Sequence, residues 1–189
     1  MDFVNPPKAF VWFDGVIAPR LLGRMYRDFA GGIPLEGSED VLEFGCGSGG
    51  VAERLIPRLA GGSLTAMDIS PPMVRIAERR LARYANARCL VGSIATLDLA
   101  DASFDLVVIH NALHDVAASE RSATVEAFFR LLRPGGAVWL REPTKPSHGI
   151  APSEVSELFT GAGFRKTRSN EHKAFAVGPA FDATFATPS

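Results

Sequence analysis

The chain has 189 residues, of which 47% are hydrophobic and 22% charged, an ordinary composition for one globular domain. Its formal net charge is -1, so no overall positive field would attract nucleic acid, although a local basic patch stays open. Cys46 and Cys89 form no CxxC pair and no cluster with histidine, which argues against a zinc centre or a disulfide framework and favours a reducing cytoplasm. Because the cysteines form no such cluster, we expect no metal ion. Without a membrane-spanning run or a signal-peptide pattern, we expect a cytoplasmic protein.

The first 37 residues form a region of their own. Apolar side chains recur at steps of three and four residues from Phe10 to Phe29, alternating with basic ones, and glycine and proline interrupt the pattern. The pattern therefore predicts two short helices rather than one long helix. We interpret residues 1–37 as a helical cap that closes the ligand cleft of a main domain at 38–189. The alternative is a surface that touches membrane lipid through its basic and aromatic residues.

From Val41 onward the sequence alternates between strand and helix patterns, which is typical of a parallel sheet with helices on its faces. Strands are predicted from Val41 and at about 63–67, 89–91, 104–109 and 137–140, and helices at about 51–59, 71–81, 119–132 and 152–161. A tight turn is predicted at 133–136. Two late extended segments, at about 164–168 and 173–177, leave no room for a helix between them, so we expect an antiparallel hairpin.

A glycine-rich turn follows the first predicted strand. Gly45, Gly47 and Gly50 fit the GxGxxG pattern of dinucleotide-binding proteins, whereas Gly45, Gly47 and Gly49 preceded by Glu43 fit a different pattern. Glycine is expected here because the backbone must adopt dihedrals that a Cβ disfavours and must let a ligand approach closely. Taken alone, the triad leaves both patterns open.

Four segments together resemble a known family. Val-Leu-Glu-Phe-Gly-Cys-Gly-Ser-Gly (41–49), Ala-Met-Asp-Ile-Ser (66–70), Ala-Ser-Phe-Asp-Leu-Val-Val (102–108) and Leu-Leu-Arg-Pro-Gly-Gly (131–136) resemble the successive motifs of class I S-adenosylmethionine-dependent methyltransferases, of the small-molecule and lipid type with a methyltransferase type 11-like domain. The resemblance covers about residues 38–178. It implies a Rossmann-like, doubly wound α/β fold with a seven-stranded sheet, six strands parallel and one antiparallel, and S-adenosyl-L-methionine as cofactor.

The same resemblance implies a set of cofactor-binding residues. Glu43 would lie near the amino group of the methionine moiety, and Gly45, Gly47 and Gly49 would line its path. S-adenosylmethionine carries an ammonium and a sulfonium and no phosphate, so an acidic residue before the turn suits it better than a pyrophosphate. Asp68 would accept hydrogen bonds from the ribose hydroxyls. Ile69 would pack on the adenine, and Ser93 or Ile94 would contact it. The remaining implied cofactor-binding residues are Cys46, Met73 and His110.

The segment Gly92-Ser93-Ile94 departs from the family pattern, since many relatives have Gly-Asp-Ala there. Ser93 can accept a hydrogen bond but carries no charge. Adenine contact through Ser93 or the Ile94 backbone, and an ordinary turn, therefore both stay open.

Polar side chains follow the fourth and fifth predicted strands, where ligands of open α/β sheets bind. We expect Asn111, His114, Asp115 and Glu142 to face the acceptor. Methyl transfer depends mainly on orientation and exclusion of water, and it needs a base only if the acceptor arrives protonated. His114 and His110 are the candidate bases because a histidine titrates near neutral pH. Alternatively, His110 shapes the cofactor pocket and His114 packs or caps.

The family resemblance implies a small-molecule or lipid-like acceptor, and two absent signatures bear on the alternatives. No nucleophile elbow is present, so hydrolytic catalysis is unsupported. The aromatic-proline signature of nucleic-acid amino-methylating enzymes is absent at 110–113. With a sequence pI of about 6.4, this disfavours DNA or RNA. We therefore expect methyl transfer to a small-molecule or lipid-like acceptor by a monomer or homodimer. The alternatives are a peripheral-membrane phospholipid or quinone methyltransferase and a non-catalytic S-adenosylmethionine-binding protein.

Overall fold

A computed structural model describes residue 2 and residues 4–189, without the side chain of residue 19. The predicted cap at 1–37 is thus described except for residues 1 and 3, which lie outside the described residues. The chain divides into two compact units, Met1–Ser93 and Ile94–Ser189.

The first unit begins with short helical segments, more finely divided than the two helices that the sequence predicts. They are α1 (Lys8–Trp12), a π-helical turn (Phe13–Ile17), α2 (Ala18–Leu21) and α3 (Gly23–Gly32). The glycines that interrupt the apolar pattern favour such breaks, because glycine loses more conformational freedom in a helix than other residues. Met25 and Phe29 of the predicted apolar stripe are buried, whereas Leu21 is 60% exposed.

Three parallel strands form the sheet of the first unit, with β2 between β1 and β3. The strands and their helices are β1 (Asp40–Phe44), α4 (Ala52–Leu55), β2 (Ser63–Asp68), α5 (Pro71–Leu81) and β3 (Ala87–Val91). β1 and β2 are buried along their centres, as parallel strands covered on both faces are. Phe44 pairs with Met67, so the glycine turn and Asp68 leave the sheet at the same edge.

The second unit contains a mixed sheet of its own strands. Its elements are β4 (Phe104–His110), α6 (Arg121–Leu131), β5 (Leu132–Lys145), β6 (His148–Gly149), α7 (Pro152–Gly161), β7 (Arg165–Ala174) and β8 (Gly178–Ala186). β4 and β5 are parallel, and β8 lies between β5 and β7 and runs antiparallel to both. The predicted α/β fold, with one reversed strand at the end of the chain, is confirmed. The two-residue β6 is an addition to the predicted strands.

Two predicted boundaries are wrong. The expected turn at 133–136 belongs to the long strand β5. The second hairpin strand was expected at 173–177, but residues 175–177 form the turn and β8 begins at Gly178. Positive φ angles of 64° at Ala176 and 89° at Gly178 reverse the chain there. The buried alternation that fixes the register follows the turn, at Phe181, Ala183 and Phe185.

None of the helices in the described part of the chain is both long and apolar enough to cross a bilayer.

Candidate active site

The glycine turn after β1 has the backbone that the sequence predicts. The φ angles are 68° at Gly45, 52° at Gly47 and 79° at Gly49, in the left-handed region that favours glycine. Gly49 has a packing reason as well, because a Cβ there would lie 3.1 Å from the Cβ of Ala77 on α5. A side chain would therefore strain the turn and also push α5 away.

Glu43 is a buried acid with unused hydrogen-bonding capacity. Its side chain lies in β1 with only 2% of the residue exposed, and the backbone N–H of Ala52 bonds to the carboxylate. Its Oε2 atom has no hydrogen-bond partner among the described residues. Burial, and then repulsion from Asp68, raise the pKa of Glu43 to about 8. An orphaned buried carboxylate oxygen fits the ammonium group that the family resemblance assigns to this position.

Asp68 ties the glycine turn to the end of β2. Its Oδ2 atom accepts the N–H of Gly47 at 2.8 Å, and its Oδ1 atom accepts the N–H of Ser70 at 2.9 Å. The carboxylate therefore holds the turn in shape. A carboxylate oxygen has more than one acceptor site, so these bonds are compatible with further donors from a ligand.

The other predicted cofactor residues of the first unit differ in their burial. Ile69 is 40% exposed and so is not a core side chain. Met73 is buried, and its Cε atom lies 3.9 Å from where a Cβ of Gly47 would stand. Burial, and then the nearby acids Glu43 and Asp68, raise the pKa of the Cys46 thiol well above its usual value, so the thiol is neutral. Ser93 is half-buried in the turn after β3.

The N-terminal helical segments contact the glycine turn directly, through residues that no sequence pattern singles out. Ser48 Oγ donates to the carbonyl of Asp14 at 3.1 Å. A Cβ on Gly50 would lie 2.7 Å from the ring of Tyr26. Burial, and then the charge of Asp14, raise the pKa of Tyr26 to about 12. No local motif marks Tyr26 or Asp14 as neighbours of the turn, because their positions depend on tertiary packing.

In the second unit, Glu142 organises the loop after β4. The side chain is fully buried. Its carboxylate accepts the backbone N–H groups of Ala112 at 3.0 Å, Leu113 at 2.8 Å and His114 at 3.3 Å. It also bonds Nδ1 of the His114 ring at 2.6 Å. Since both carboxylate oxygens are engaged, the contacts favour a positioning role for Glu142 over direct contact with an acceptor.

His114 is held in one orientation by this bond. With Nδ1 donating to Glu142, the Nε2 atom is directed to Asp115 Oδ1 at 3.4 Å and His148 Nε2 at 3.2 Å. Burial lowers the pKa of His114, but the hydrogen bond and charge of Glu142, with Asp115, outweigh it and raise the pKa above its usual value. Burial raises the pKa of Asp115, against the opposing effect of His114 and His148.

His148 is a member of this cluster that sequence reasoning missed. It lies 34 positions from His114 and reaches it through β6, which folds back on β5 after a two-residue turn. Gly149 permits this close return, because a Cβ there would collide with the Pro143 carbonyl.

His110 and Asn111 end β4 in different ways. Burial, and then the nearby Arg141 guanidinium, lower the pKa of His110 to about 3, so its neutral ring is a weak proton acceptor. Asn111 has a φ of 55°, and its buried Oδ1 atom has no hydrogen-bond partner in the part of the chain that the structure describes. Asparagine adopts the left-handed region more readily than other non-glycine residues, so the unsatisfied buried oxygen is the feature that suggests a ligand contact.

The first unit places a left-handed glycine turn and an orphaned buried acid at the carboxyl end of a parallel strand, the position where open α/β sheets bind ligands. A family model described as a methyltransferase domain matches residues 41–136. Because this match covers half of the chain, the chain belongs to that methyltransferase domain family, whose class I members use S-adenosyl-L-methionine as cofactor.

Individual relatives agree with this assignment. An uncharacterized methyltransferase of Mycobacterium tuberculosis is 38% identical over 106 residues, which are 56% of this chain and 51% of that protein. A demethylmenaquinone methyltransferase of Tropheryma whipplei is 32% identical over 114 residues, 60% of this chain and 46% of that protein. The chain thus spans about half the length of these two relatives.

A solved structure supports the fold. The N-methyltransferase NodS from Bradyrhizobium japonicum, in complex with S-adenosyl-L-homocysteine, matches with a TM-score of 0.73 and covers 94% of this chain and 91% of its own. Its sequence identity is 18%, so this likeness concerns the fold alone.

Proposed function

We propose that this protein transfers the methyl group of S-adenosylmethionine to a small-molecule or lipid-like acceptor. The observation that carries the proposal is the His114–Glu142 pair. A fully buried carboxylate fixes the ring by its Nδ1 atom at 2.6 Å and leaves Nε2 facing an accessible cluster at the end of β4. Such an arrangement orients a histidine toward a substrate rather than toward the core.

In this proposal the first unit holds the cofactor. Glu43 receives the amino group on its orphaned Oε2, and Asp68 receives the ribose hydroxyls. The half-exposed Ile69 packs on the adenine, beside Ser93 at the end of this unit. The backbone of the turn supplies the remaining walls, formed by Gly45, Cys46, Gly47 and Gly49 with Met73 beside them.

When bound, the cofactor supplies a methyl carbon activated by a cationic sulfur. The protein orients the acceptor and excludes water from it, which can contribute most of the rate enhancement. Asn111 Oδ1 offers a hydrogen-bond acceptor. His114 Nε2 accepts the proton of an acceptor that arrives protonated, and His110 stays neutral and shapes the pocket.

The N-terminal segment at 1–37 acts as the cap of this site. Its contacts with the glycine turn, from Asp14 and Tyr26, support that role. Removal of residues 1–30 is expected to abolish acceptor binding, and a truncated protein with full activity would exclude it.

A second candidate is a peripheral-membrane enzyme that methylates a phospholipid or quinone. It is favoured by the exposure of several large apolar side chains in the N-terminal helical segments. These are Trp12 at 59%, Phe13 at 44%, Val16 at 41% and Leu21 at 60%. Arg20 and Arg24 lie on the same segments, and a basic, apolar surface of this kind suits an anionic lipid surface.

The experiment that tests the function measures S-adenosylhomocysteine release over a panel of lipids, quinols, small phenols and amines. We expect release with one acceptor class from the wild-type protein and from His172→Ala, because His172 lies on β7 outside the cluster. Calorimetry with S-adenosylmethionine and S-adenosylhomocysteine is the companion measurement. Binding without release over the whole panel would favour the non-catalytic alternative, and no binding of either compound would overturn the proposal.

A further inference from the structure

We propose that His114, Asp115 and His148 form a binding site for a divalent transition-metal ion such as Zn²⁺. One ligand atom from each of these residues lies within 4.8 Å of the other two. The inference goes beyond the methyl transfer proposed above, and it contradicts the sequence-based expectation that the protein holds no metal.

The distances suit a single ion. His114 Nε2 lies 3.2 Å from His148 Nε2 and 3.4 Å from Asp115 Oδ1. Two ligand atoms that each bind a tetrahedral zinc at about 2.0–2.1 Å are about 3.3–3.4 Å apart. Both distances from His114 therefore match edges of one coordination tetrahedron. The exposed Asp115 side chain can rotate to shorten the remaining edge.

The ligand chemistry also suits a transition metal. Two imidazole nitrogens and one carboxylate oxygen form the ligand set of catalytic zinc sites, which keep a fourth position open for water or substrate. The Nε2 atoms of His114 and His148 face each other at 3.2 Å, so the proton of the hydrogen bond between them can be replaced by an ion that both nitrogens bind. His148 and Asp115 are exposed, so an ion can enter from solvent.

The surroundings orient the ligands before an ion arrives. Glu142 fixes His114 by its Nδ1 atom, the carboxylate–histidine arrangement that supports metal ligands. On the other side, Arg121 Nη2 donates to the carbonyl of His114 at 2.9 Å and holds its backbone. His148 is carried by β6, which pairs with β5 at Lys145. The three ligands thus come from ordered elements of one unit.

A metal would change the role of His114, because Nε2 can hold either a proton or an ion. An acceptor hydroxyl bound at the open position would be acidified, as zinc-bound water is. This consequence rests on the proposed methyl transfer, whereas metal binding itself does not.

The test is a titration of the metal-free, tag-free protein with Co²⁺ and Zn²⁺, followed by the visible absorption of Co²⁺ and by calorimetry. We expect one equivalent to bind, with the absorption of a four- or five-coordinate site. His148→Ala and Asp115→Ala should each weaken binding at least tenfold. Glu142→Gln, which removes a positioning contact, should weaken it about 10- to 100-fold.

His172→Ala is the matched control, since it also removes a histidine, but His172 lies on β7 and is not part of the cluster. It should bind the metal as the wild type does. Because His148 and Asp115 are exposed, their variants are expected to keep the near-ultraviolet circular dichroism of the folded protein.

No stoichiometric binding, or binding that is unchanged in His148→Ala, would overturn the metal site without touching the proposed function. Loss of methyl transfer to every acceptor, with metal binding intact, would instead overturn the proposed function alone.

Discussion

His114 Nδ1 lies 2.6 Å from Glu142 Oε2, and the same carboxylate accepts the backbone N–H of His114. The ring and the backbone of one residue are therefore held by one buried acid. This double attachment fixes the tautomer and the direction of the ring, so that Nε2 is the atom available for chemistry. Both the proton-acceptor and the metal-ligand roles of His114 depend on it.

The first prediction concerns His114 itself. His114→Ala should lower turnover by about 10²–10⁴-fold, the contribution of a positioned acid–base group. The affinity for S-adenosylmethionine should change little, because the implied cofactor residues of the first unit are untouched. Steady-state kinetics and calorimetry on the same preparation check both parts. An unchanged turnover would remove His114 as a base.

His148→Ala then separates the two roles of His114. If His114 acts only as a base, the His148→Ala variant should keep most of the turnover. If the cluster holds a metal that takes part in the reaction, turnover should fall in His148→Ala as well as in His114→Ala. The comparison is made with metal supplied and with a chelator present.

Glu142→Gln tests the positioning of the loop after β4. An amide keeps the size of the side chain but has one acceptor oxygen, so it leaves buried N–H donors facing its NH₂ group. We expect a loss of about 1–3 kcal/mol in the free energy of unfolding, the cost of unsatisfied buried donors. Denaturant unfolding measures it. The matched control is Glu171→Gln on the exposed part of β7, which should stay within about 0.5 kcal/mol of wild type.

Some of this site follows from the sequence, for physical reasons. The left-handed turn at Gly45, Gly47 and Gly49 is foreseeable because a positive φ is a local requirement that glycine meets. The reversed strand at the end is foreseeable because two extended segments without a helix between them can only pair antiparallel. That His114 and Asp115 come to the end of a strand follows from the apolar run of β4.

Other parts depend on tertiary structure that no local pattern encodes. His148 joins His114 through a strand of two residues, too short to leave a periodic signal. Tyr26 reaches Gly50 only when the N-terminal helices pack. The mainly apolar segment at 173–177 has the pattern of a strand, but only its first two residues belong to β7 and the other three form the turn before β8.

The exposed apolar side chains of the N-terminal segments test the membrane candidate. We expect flotation with anionic vesicles at low salt and weaker flotation at high salt, because basic residues accompany the apolar ones. Trp12→Ala combined with Leu21→Ala should reduce flotation severalfold. Phe175→Ala is the control, since Phe175 is 61% exposed in the turn of the second unit. No flotation of the wild type, or equal loss in the control, would exclude lipid binding by this segment.

The contact between Gly50 and Tyr26 predicts how the N-terminal segment is seated. A Cβ on Gly50 would lie 2.7 Å from the Tyr26 ring, so Gly50→Ala should destabilise the protein by about 1–3 kcal/mol through overpacking. Adding Tyr26→Ala should cost less than the sum of the two single variants, a coupling that a double-mutant cycle measures. Gly31→Ala, where a Cβ meets nothing within 4 Å, should be neutral or stabilising. Strict additivity would show that the segment does not pack on the turn.

The last prediction is a pH dependence of cofactor binding at Glu43. Its pKa is raised to about 8 in the folded protein, against 4.5 as the ordinary value, so the buried acid is mainly protonated at neutral pH. The cofactor ammonium favours the ionised carboxylate, and binding therefore releases a proton. The dissociation constant should fall as pH rises from about 6 to about 8, by up to tenfold per pH unit, and then level off.

The same shift predicts the sign for stability without cofactor. A raised pKa means that the folded state binds the proton more tightly than the unfolded state. Its stabilising contribution is complete below about pH 4.5 and is lost as pH rises toward 8. Glu43→Gln should remove this contribution to the slope, so it should gain stability relative to wild type as pH rises between 5 and 8.

Calorimetry in two buffers of different ionisation enthalpy counts the released proton directly. Glu43→Gln should bind the cofactor more weakly and without this proton release, while Glu78→Gln on the exposed face of α5 should behave as wild type. A dissociation constant that stays flat between pH 6 and 8 in the wild type would contradict the assignment of Glu43 to the cofactor's amino group. A pH dependence of the dissociation constant that persists unchanged in Glu43→Gln would contradict this assignment too, because the titrating group would then lie elsewhere.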